Sequence, residues 1–309
     1  MKKSKVVVFG SFVVDLMSRA KHLPVPGETV IGKGFRMGAG GKGSNQAVAA
    51  HRAGADVVIV TKIGADVFGK VALDFYQSEG MDTRYIAIDE TIETGSALIM
   101  VDECSGQNQI LVTIGASGNI TDQDIERAMP AIAEADILLL QLEINLDAVA
   151  KLIDIAHRLG LMIVLNTAPA QMIPTEFLTK VDIITPNEIE AGILTGITIN
   201  SLDDAKKAGA AFQKMGVKNI IITLGKEGVL VITEKELEFI PSFKVDAIDT
   251  TGAGDAFNGG FVTALAEGRD IFEASRFGNV TGALSVTKHG TAQAMPFRNE
   301  IDEFLLAQS

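Results

Sequence analysis

Cysteine and aromatic residues are scarce in this chain of 309 residues. The single cysteine, Cys104, cannot form a disulfide within the chain, and four histidines leave little material for a His/Cys metal cluster. There is no tryptophan, and the 6% of aromatic residues are too few for a platform that stacks single-stranded nucleic acid. These shortages exclude a disulfide scaffold and favour a reducing, cytoplasmic location.

Positive charge and long apolar runs are also lacking. The formal net charge is −12, which would repel nucleic acid and anionic membrane surfaces. No apolar run reaches the roughly 18 residues that a membrane span needs. We interpret the run "KVVVFG" at 5–10 as a buried first strand, because no signal-peptide cleavage site follows it. We therefore expect neither nucleic acid nor a membrane as a partner.

The sequence does contain a regular alternation of short Val/Ile/Leu runs with helical patterns, which is typical of parallel strands covered on both faces. The predicted strands are 5–10, 56–60, 136–142, 161–166, 181–185 and 219–225. The predicted helices are 44–53, 66–80, 122–134, 146–159 and 201–215. We expect one α/β domain over residues 1–309, a Rossmann-like parallel sheet sandwiched by helices.

Two stretches interrupt the alternation. Residues 13–37 and about 94–114 are typical of strand pairs with polar turns and no helix between them. Both lie in the N-terminal half, so we expect them to form a small β-sheet lid on the main domain, suited to closing an active site. Exposed edges of such a sheet favour pairing with a second chain, which predicts a homodimer through the lid.

The first glycine cluster, at 38–43, fits the G-x-G-x-x-G pattern of a dinucleotide-binding turn. That turn should directly follow the first strand, and an acid that binds ribose should end the next strand. Here the cluster begins long after residue 10, and Val60-Thr61-Lys62 stands where the acid is expected. The pattern therefore argues against a dehydrogenase.

A second glycine cluster, at 64–71, matches a phosphate-binding P-loop except at its last position. Val71 stands where a Ser or Thr should hold magnesium, and Asp66 would place a negative charge in the phosphate cradle. We reject a P-loop here.

The third glycine cluster lies within 243–268. We predict a strand that ends at Asp249, a turn at Gly252-Ala253-Gly254 and a long helix that begins at Asp255. The first N–H groups of such a helix form an anion hole, because they point at the anion with the helix dipole behind them. Asp255 itself is either a helix N-cap or a general base that takes the proton of an attacking hydroxyl, and the spacing leaves both open.

With these motifs the chain resembles the ribokinase family of carbohydrate kinases. Two segments carry the resemblance, "GAGGKGSNQAVAAHRAGA" near the N-terminus and "DTTGAGDAFNGGF" near the C-terminus, with "IGADVFG", "QLE", "TPNEIE" and "TLGKEG" in the family's order between them. The resemblance implies transfer of the γ-phosphoryl group of ATP to a primary hydroxyl of a sugar, with D-ribose as the leading substrate and D-ribose 5-phosphate as the product. It assigns Asp255 as the base and Gly252, Ala253 and Gly254 as the anion hole.

The resemblance also implies a set of residues that bind the sugar. Gly41, Lys42 and Asn45 would hydrogen-bond it, Asp15 would accept from two hydroxyls, and Glu143 and Asp255 would complete the set. Two alternatives stay open from the residues alone. Lys42 could be a solvated surface lysine, and Glu143 an acid in the first turn of the next helix.

On the nucleotide side, the resemblance implies that Asn187 and Glu190 order Mg²⁺ through water beside the phosphates; the alternative is an ordinary helix start. It places the ribose and phosphates of ATP at Thr223, Gly225, Gly228 and Gly254, and Asn279 near adenine. An activating K⁺ would be held, largely by backbone oxygens, at Asp249, Thr251, Ser285, Lys288, Gly290 and Ala294.

At one position that concerns the sugar, this chain departs from the family's pattern. Ribose-specific members of the family carry Asn two residues before the sugar-binding Asp, whereas this chain has Val13. Val13 either faces the sugar, and then offers it no hydrogen bond, or packs into the strand core. A kinase of a hexose or deoxypentose is therefore the alternative. A non-catalytic sugar sensor is disfavoured, because Asp255 and its glycines are intact.

Overall fold

The computed structural model describes residues 4–308. Its strands are β1 (Lys5–Phe9), β2 (Val13–Ala20), β3 (Lys33–Gly40), β4 (Asp56–Gly64), β5 (Ile86–Asp89), β6 (Thr94–Asp102), β7 (Asn108–Gly115), β8 (Ile137–Gln141), β9 (Met162–Asn166), β10 (Ile183–Ile184), β11 (Asn219–Thr223), β12 (Gly228–Ile232) and β13 (Leu237–Pro241). Its α-helices are α1 (Lys42–Arg52), α2 (Val67–Ser78), α3 (Asp122–Ala133), α4 (Leu146–Leu159), α5 (Thr175–Leu178), α6 (Glu188–Thr195), α7 (Leu202–Lys214), α8 (Ala253–Ala266), α9 (Ile271–Ser285) and α10 (Arg298–Ala307).

The main sheet has nine strands in the order β13-β12-β11-β10-β9-β8-β1-β4-β5. Neighbours from β11 to β5 are parallel, whereas β12 and β13 add an antiparallel hairpin at one edge. The carboxyl ends of β1, β8 and β9 therefore meet at one edge of the sheet, where open α/β sheets bind their ligands.

Apolar side chains cover both faces of this sheet. In β1, Val7 and Phe9 belong to one buried cluster with residues of α3, α4 and α7, and Val6 and Val8 belong to a second cluster with residues of α1, α8 and α9. All four side chains are fully buried. A strand buried on both faces needs a continuous apolar run, and the sequence of β1 is such a run.

A second sheet of four strands, in the order β3-β2-β6-β7, contains the two stretches that the sequence predicts as a lid, and we refer to it as the lid. Its central pair, β2 and β6, is parallel, and both outer pairs are antiparallel. One face carries a small apolar cluster of Val13, Met17, Ala97, Ile99 and Val101. Because side chains alternate along a strand, Asp15 lies on the same face, between Val13 and Met17.

Most of the predicted elements are confirmed, with ends shifted by a few residues. The fold class is the predicted one, and the lid strands reach Gly40 and Gly115, slightly beyond the predicted bounds of 37 and 114. The predicted strand that ends at Asp249 is wrong, since residues 242–250 pair with no strand. The main sheet already ends at β13, and the amides of Ile248 and Asp249 instead donate to the carbonyl of Val286.

Candidate active site

The first turn of α8 lies at the sheet edge that the fold provides for a ligand. Gly252 is the N-cap and adopts a left-handed conformation with φ of 79°, which suits glycine. No side chain in the described part of the chain caps the helix. The amide of Ala253 donates to the carbonyl of Thr250 at 3.3 Å, whereas the amides of Gly254 and Asp255 remain available to an anion. The N-cap interpretation of Asp255 is therefore wrong, because Asp255 lies within the first turn of the helix.

Asp255 is held in one orientation by two neutral amides from α1. Asn45 Nδ2 donates to Asp255 Oδ2 at 2.9 Å, and Gln46 Nε2 donates to Asp255 Oδ1 at 2.9 Å. The carboxylate is only 6% exposed, and no cation forms a salt bridge with it among the described residues. Two neutral donors therefore fix the orientation of this carboxylate, as a general base requires.

Next to Asp255 is a cavity of about 160 Å³. It is lined by Lys42, Asn166, Ala168, Thr185, Asn187, Glu190, Thr223, Thr250, Gly252, Ala253, Gly254, Asp255 and Asn258. The structure thus brings the first turn of α8, Lys42 and the Asn187–Glu190 pair to one space.

The charge of Lys42 is directed into this site. Burial alone would lower the pKa of Lys42, but the charges of Asp255, Glu143 and Glu190 outweigh it and raise the pKa above its usual value. The ammonium therefore stays protonated in the cavity, where it can attract a phosphoryl group. The alternative of a solvated surface lysine is wrong.

Asn187 and Glu190 do form a helix start, and they also face the cavity. Asn187 Oδ1 accepts from the amide of Glu190 at 2.8 Å, and Glu190 Oε2 accepts from the amide of Asn187 at 3.0 Å, a reciprocal capping box at α6. Burial raises the pKa of Glu190 above its usual value. The hydrogen bond from the Asn187 amide and the charge of Lys42 lower the pKa, but they offset the effect of burial only in part. A cation would stabilise this buried carboxylate, so the pair fits Mg²⁺. Within residues 4–308, no group of three or more His, Cys, Asp or Glu is placed to hold a metal ion.

A second group of polar atoms lies on the lid side of Asp255. Asp15 Oδ2 accepts from the hydroxyl of Thr291 at 2.7 Å. Burial, followed by the charges of Glu143, Asp255 and Asp249, raises the pKa of Asp15 to about 6. A Cβ at Gly40 would lie 2.4 Å from Asp15 Oδ1, so only glycine leaves room for this carboxylate.

Glu143 and Asn45 complete the lid side. Glu143 Oε2 accepts from the hydroxyl of Ser11 and, at 2.8 Å, from the amide of Lys42. Glu143 precedes α4, whose first-turn acid is Asp147, so the alternative of a first-turn acid is wrong for Glu143. Among the residues that the structure describes, the buried Asn45 Oδ1 has no hydrogen-bond partner. A ligand hydroxyl would satisfy this acceptor.

The predicted cation segments meet at Asp249. Its carboxylate accepts from the amide of Thr251 at 3.1 Å and from the amide of Gly290 at 3.2 Å. Lys288 pairs instead with Glu300 at 2.6 Å, and the hydroxyl of Ser285 donates to a carbonyl in its own helix. Lys288 therefore has only its backbone oxygen to offer a cation, whereas Ser285 can offer its carbonyl oxygen and a lone pair of its hydroxyl.

The remaining residues that the resemblance assigns to the nucleotide lie around β12 and β13. Thr223 borders the cavity, and Gly225 begins a short 3₁₀ turn that ends at Glu227. A Cβ at Gly228 would lie 2.1 Å from the carbonyl oxygen of Ile240, and the side-chain amide of Asn279 donates to the same oxygen at 3.3 Å. Gly228 and Asn279 thus share a neighbour, although neither borders the cavity.

Sequence reasoning missed several polar residues of the site. Gln46 lies one turn after Lys42 in α1, and Asn258 lies one turn after Asp255 in α8, so helical spacing could have found both. Asn166 ends β9 and Thr185 follows β10, and they reach the cavity because carboxyl ends of parallel strands share one edge.

Comparison with known proteins gives full-length matches. The model of the pfkB family of carbohydrate kinases matches residues 3–298. A ribokinase from Haemophilus influenzae is 43% identical over 305 residues, which is 99% of each chain. A deoxyribokinase from Salmonella typhi is 35% identical and covers 97% of this chain and 98% of its own. The structure of Arabidopsis thaliana ribokinase complexed with ribose and ATP has a TM-score of 0.89 at 30% identity and covers 99% of each chain. Within the described residues, no helix is long and apolar enough to cross a membrane.

Proposed function

The chain belongs to the pfkB family of carbohydrate kinases and is a sugar kinase, and we propose that it transfers the γ-phosphoryl group of ATP to the primary hydroxyl of D-ribose, forming D-ribose 5-phosphate. The observation that carries the proposal is Asp255, oriented by two amides at the uncapped start of α8 beside a polar cavity. Relatives named ribokinase, and one solved in complex with ribose and ATP, support ribose as the sugar.

In the proposed mechanism, the sugar binds between the lid and α1. The carboxylates of Asp15 and Glu143 accept hydrogen bonds from its hydroxyls, and the side chain of Asn45 can accept or donate one. Together they point the primary hydroxyl at Asp255. Asp255 takes the proton of that hydroxyl as its oxygen attacks the γ-phosphorus. The oxygen that joins the β- and γ-phosphates leaves with ADP.

The charge that develops on the transferring group is stabilised by the first N–H groups of α8 and by Lys42. Asn187 and Glu190 would hold Mg²⁺ through water beside the phosphates, and the ion would neutralise part of the triphosphate charge. The lid closes over the sugar and keeps water, a competing acceptor, away from the phosphorus.

An ADP-release assay with D-ribose, 2-deoxy-D-ribose and hexoses tests the sugar. We expect the highest kcat/KM with D-ribose.

The alternative is a kinase of a deoxypentose. It is favoured by Val13, which is buried in the apolar face of the lid beside Gly95, and by the deoxyribokinase relative. If Val13 faces the sugar, Val13→Asn should raise kcat/KM for ribose several-fold relative to the other sugars, because it adds a donor and an acceptor. Val112→Asn, at a lid valine that is 40% exposed, is the matched control. An unchanged ranking of sugars would show that Val13 does not set specificity.

We also expect K⁺ to activate the enzyme more than Na⁺ or Li⁺. Asp249 joins the segment before α8 to the loop of Gly290, so a cation held by their carbonyl oxygens would fix the turn that presents the anion hole. Initial rates in potassium and tetramethylammonium buffers of equal ionic strength measure the effect. Equal rates in the two buffers would contradict it.

The lid supports the proposal of a homodimer. On its edge strands, Phe35 and Leu111 are each 65% exposed, and Ile110 is 47% exposed. Unpaired edges with exposed apolar side chains favour association with another chain. We expect a molar mass in solution of twice the 32.7 kDa of one chain, reduced to one chain by Leu111→Glu. A single-chain mass for the unmodified protein at micromolar concentration would contradict the dimer.

A further inference from the structure

The segment 64–71, whose sequence we rejected as a P-loop, lies at the base of the lid. Asp66 caps α2, and its Oδ1 accepts from the amide of Gly69 at 2.7 Å. The same carboxylate holds Thr94, the first residue of β6, because Oδ2 accepts from the Thr94 amide and Oδ1 from the Thr94 hydroxyl, both at 2.8 Å. One side chain thus joins a helix of the main domain to the lid.

The hydroxyl of Thr94 extends this network to the main sheet. It donates its hydrogen to Asp66 and accepts from the amide of Gly64, the last residue of β4, at 2.8 Å. Thr94 is only 4% exposed. The network therefore satisfies both hydrogen-bonding roles of a buried hydroxyl.

The backbones at this point are in direct contact. A Cβ at Gly64 would lie 2.6 Å from the amide nitrogen of Thr94, and a Cβ at Gly69 would lie 2.1 Å from the carbonyl oxygen of Gly64. A Cβ at Gly115, the last residue of β7, would lie 2.4 Å from the carbonyl oxygen of Glu93. The end of β4, the start of α2 and the roots of β6 and β7 therefore have no room to slide past one another. We call Gly64, Asp66, Thr94 and Gly115 the lid pivot.

The pivot is connected to the sugar side of the site through strand register. Beyond Thr94, β6 pairs with β2 so that Gly95 lies opposite Val13 and Ala97 lies opposite Asp15. A shift of the root of β6 would thus move the strand that carries Asp15. The pivot residues are not among those that line the cavity beside Asp255.

We propose that Asp66 is a positioning residue that fixes the root of β6, so that the lid places Asp15 against the sugar and excludes water from the γ-phosphorus. The proposal rests on the proposed function. When the pivot is loosened, the sugar is held less well and water becomes an acceptor. Water then attacks the γ-phosphorus, the bond to the bridging oxygen breaks, and the products are ADP, inorganic phosphate and a proton released to solvent.

The variant Asp66→Asn tests the proposal in the full chain. Asparagine retains an oxygen for the cap of α2, but its NH₂ group cannot accept from the amide of Thr94. We expect the KM for ribose to rise about tenfold and ADP release to exceed sugar phosphate formation, with the KM for ATP nearly unchanged. The matched control is Asp270→Asn, since Asp270 caps α9 through Phe272 and Glu273 and, in the described part of the chain, accepts no hydrogen bond from the lid.

A second pair of variants covers the case in which Asp66→Asn does not fold. Thr94→Val removes the shared hydroxyl and should uncouple ADP release from sugar phosphorylation, whereas Thr94→Ser retains the hydroxyl and should restore coupling. A purely structural role would lower thermal stability in Asp66→Asn and Asp270→Asn alike, with the ratio of ADP to sugar phosphate staying at one. That result would overturn the proposal.

Failure of the proposed function has a different signature. If the unmodified protein releases no ADP with any sugar, the kinase assignment fails and the pivot is tested by amide hydrogen exchange instead. Exchange in residues 95–102 should be faster in Asp66→Asn than in Asp270→Asn. Equal exchange in the two variants would overturn the pivot.

Discussion

Replacement of Asp255 by asparagine should lower kcat by about 10²–10⁴-fold and leave the KM for ATP in the same range. The change removes the proton acceptor and keeps the shape of the side chain. The contribution of a general base disappears, whereas the cavity and the helix N-terminus that receive the phosphates remain. Initial rates at saturating ribose and ATP give kcat, and a titration of ATP at saturating ribose gives its KM.

The surrounding amides can accommodate this asparagine. Gln46 is fixed, because its Oε1 accepts from Gln141 and its Nε2 also donates to Asn166, so the oxygen of the new side chain must face Gln46. Its NH₂ group then faces Asn45, whose own Oδ1 lacks a partner and can turn to accept from it. The fold should therefore be retained, and the loss of turnover can be attributed to chemistry.

Asp147→Asn is the matched control, because Asp147 is a carboxylate in the first turn of α4 and does not line the cavity. It should leave kcat unchanged. If Asp255→Asn lost less than tenfold in kcat, Asp255 would not be the base.

A feature of this structure can be predicted from the sequence when the residues that determine it lie close together in the chain. Both sides of β1 are buried, and its apolar run alone indicates that. The turn before α8 is also local, because glycine spacing and the following helical pattern identify it within a few residues. The Asn187–Glu190 pair belongs to the same class, since one capping box fixes its geometry.

Other features depend on contacts between distant segments. Residues 243–249 alternate like a strand, but they pair with none of the described strands. The amides of Ile248 and Asp249 donate instead to the carbonyl of Val286 at the end of α9, so tertiary context overrides the pattern. Asp66 is a comparable case. Its local motif suggests a phosphate loop with one wrong residue, whereas its main partner, Thr94, is 28 residues away. Composition and spacing contain no signal for such a contact.

The start of α8 gives a prediction in which stability and activity should change in opposite directions. Gly254 has an ordinary helical position with no positive φ, and a Cβ built there meets no atom within 4 Å. Alanine should therefore fit, and it should stabilise the protein by about 0.5–1 kcal/mol, because glycine is a poor helix residue. Yet Gly254 borders the cavity beside Asp255, so the methyl group would occupy space that the transferring phosphoryl group needs.

We expect Gly254→Ala to raise Tm slightly and to lower kcat by about 10²–10³-fold, the size of effect seen when an anion hole is disabled. Thermal unfolding and initial rates on the same preparation measure both quantities. Gly192→Ala makes the same change within α6, where the new methyl would lie 3.3 Å from the carbonyl oxygen of Ile197, and it should leave kcat unchanged. A Gly254→Ala enzyme with full turnover would show that the phosphoryl group does not pass next to this turn. A loss of turnover together with a fall in Tm would instead indicate that the alanine distorts the helix start, and the geometric argument for the anion hole would fail.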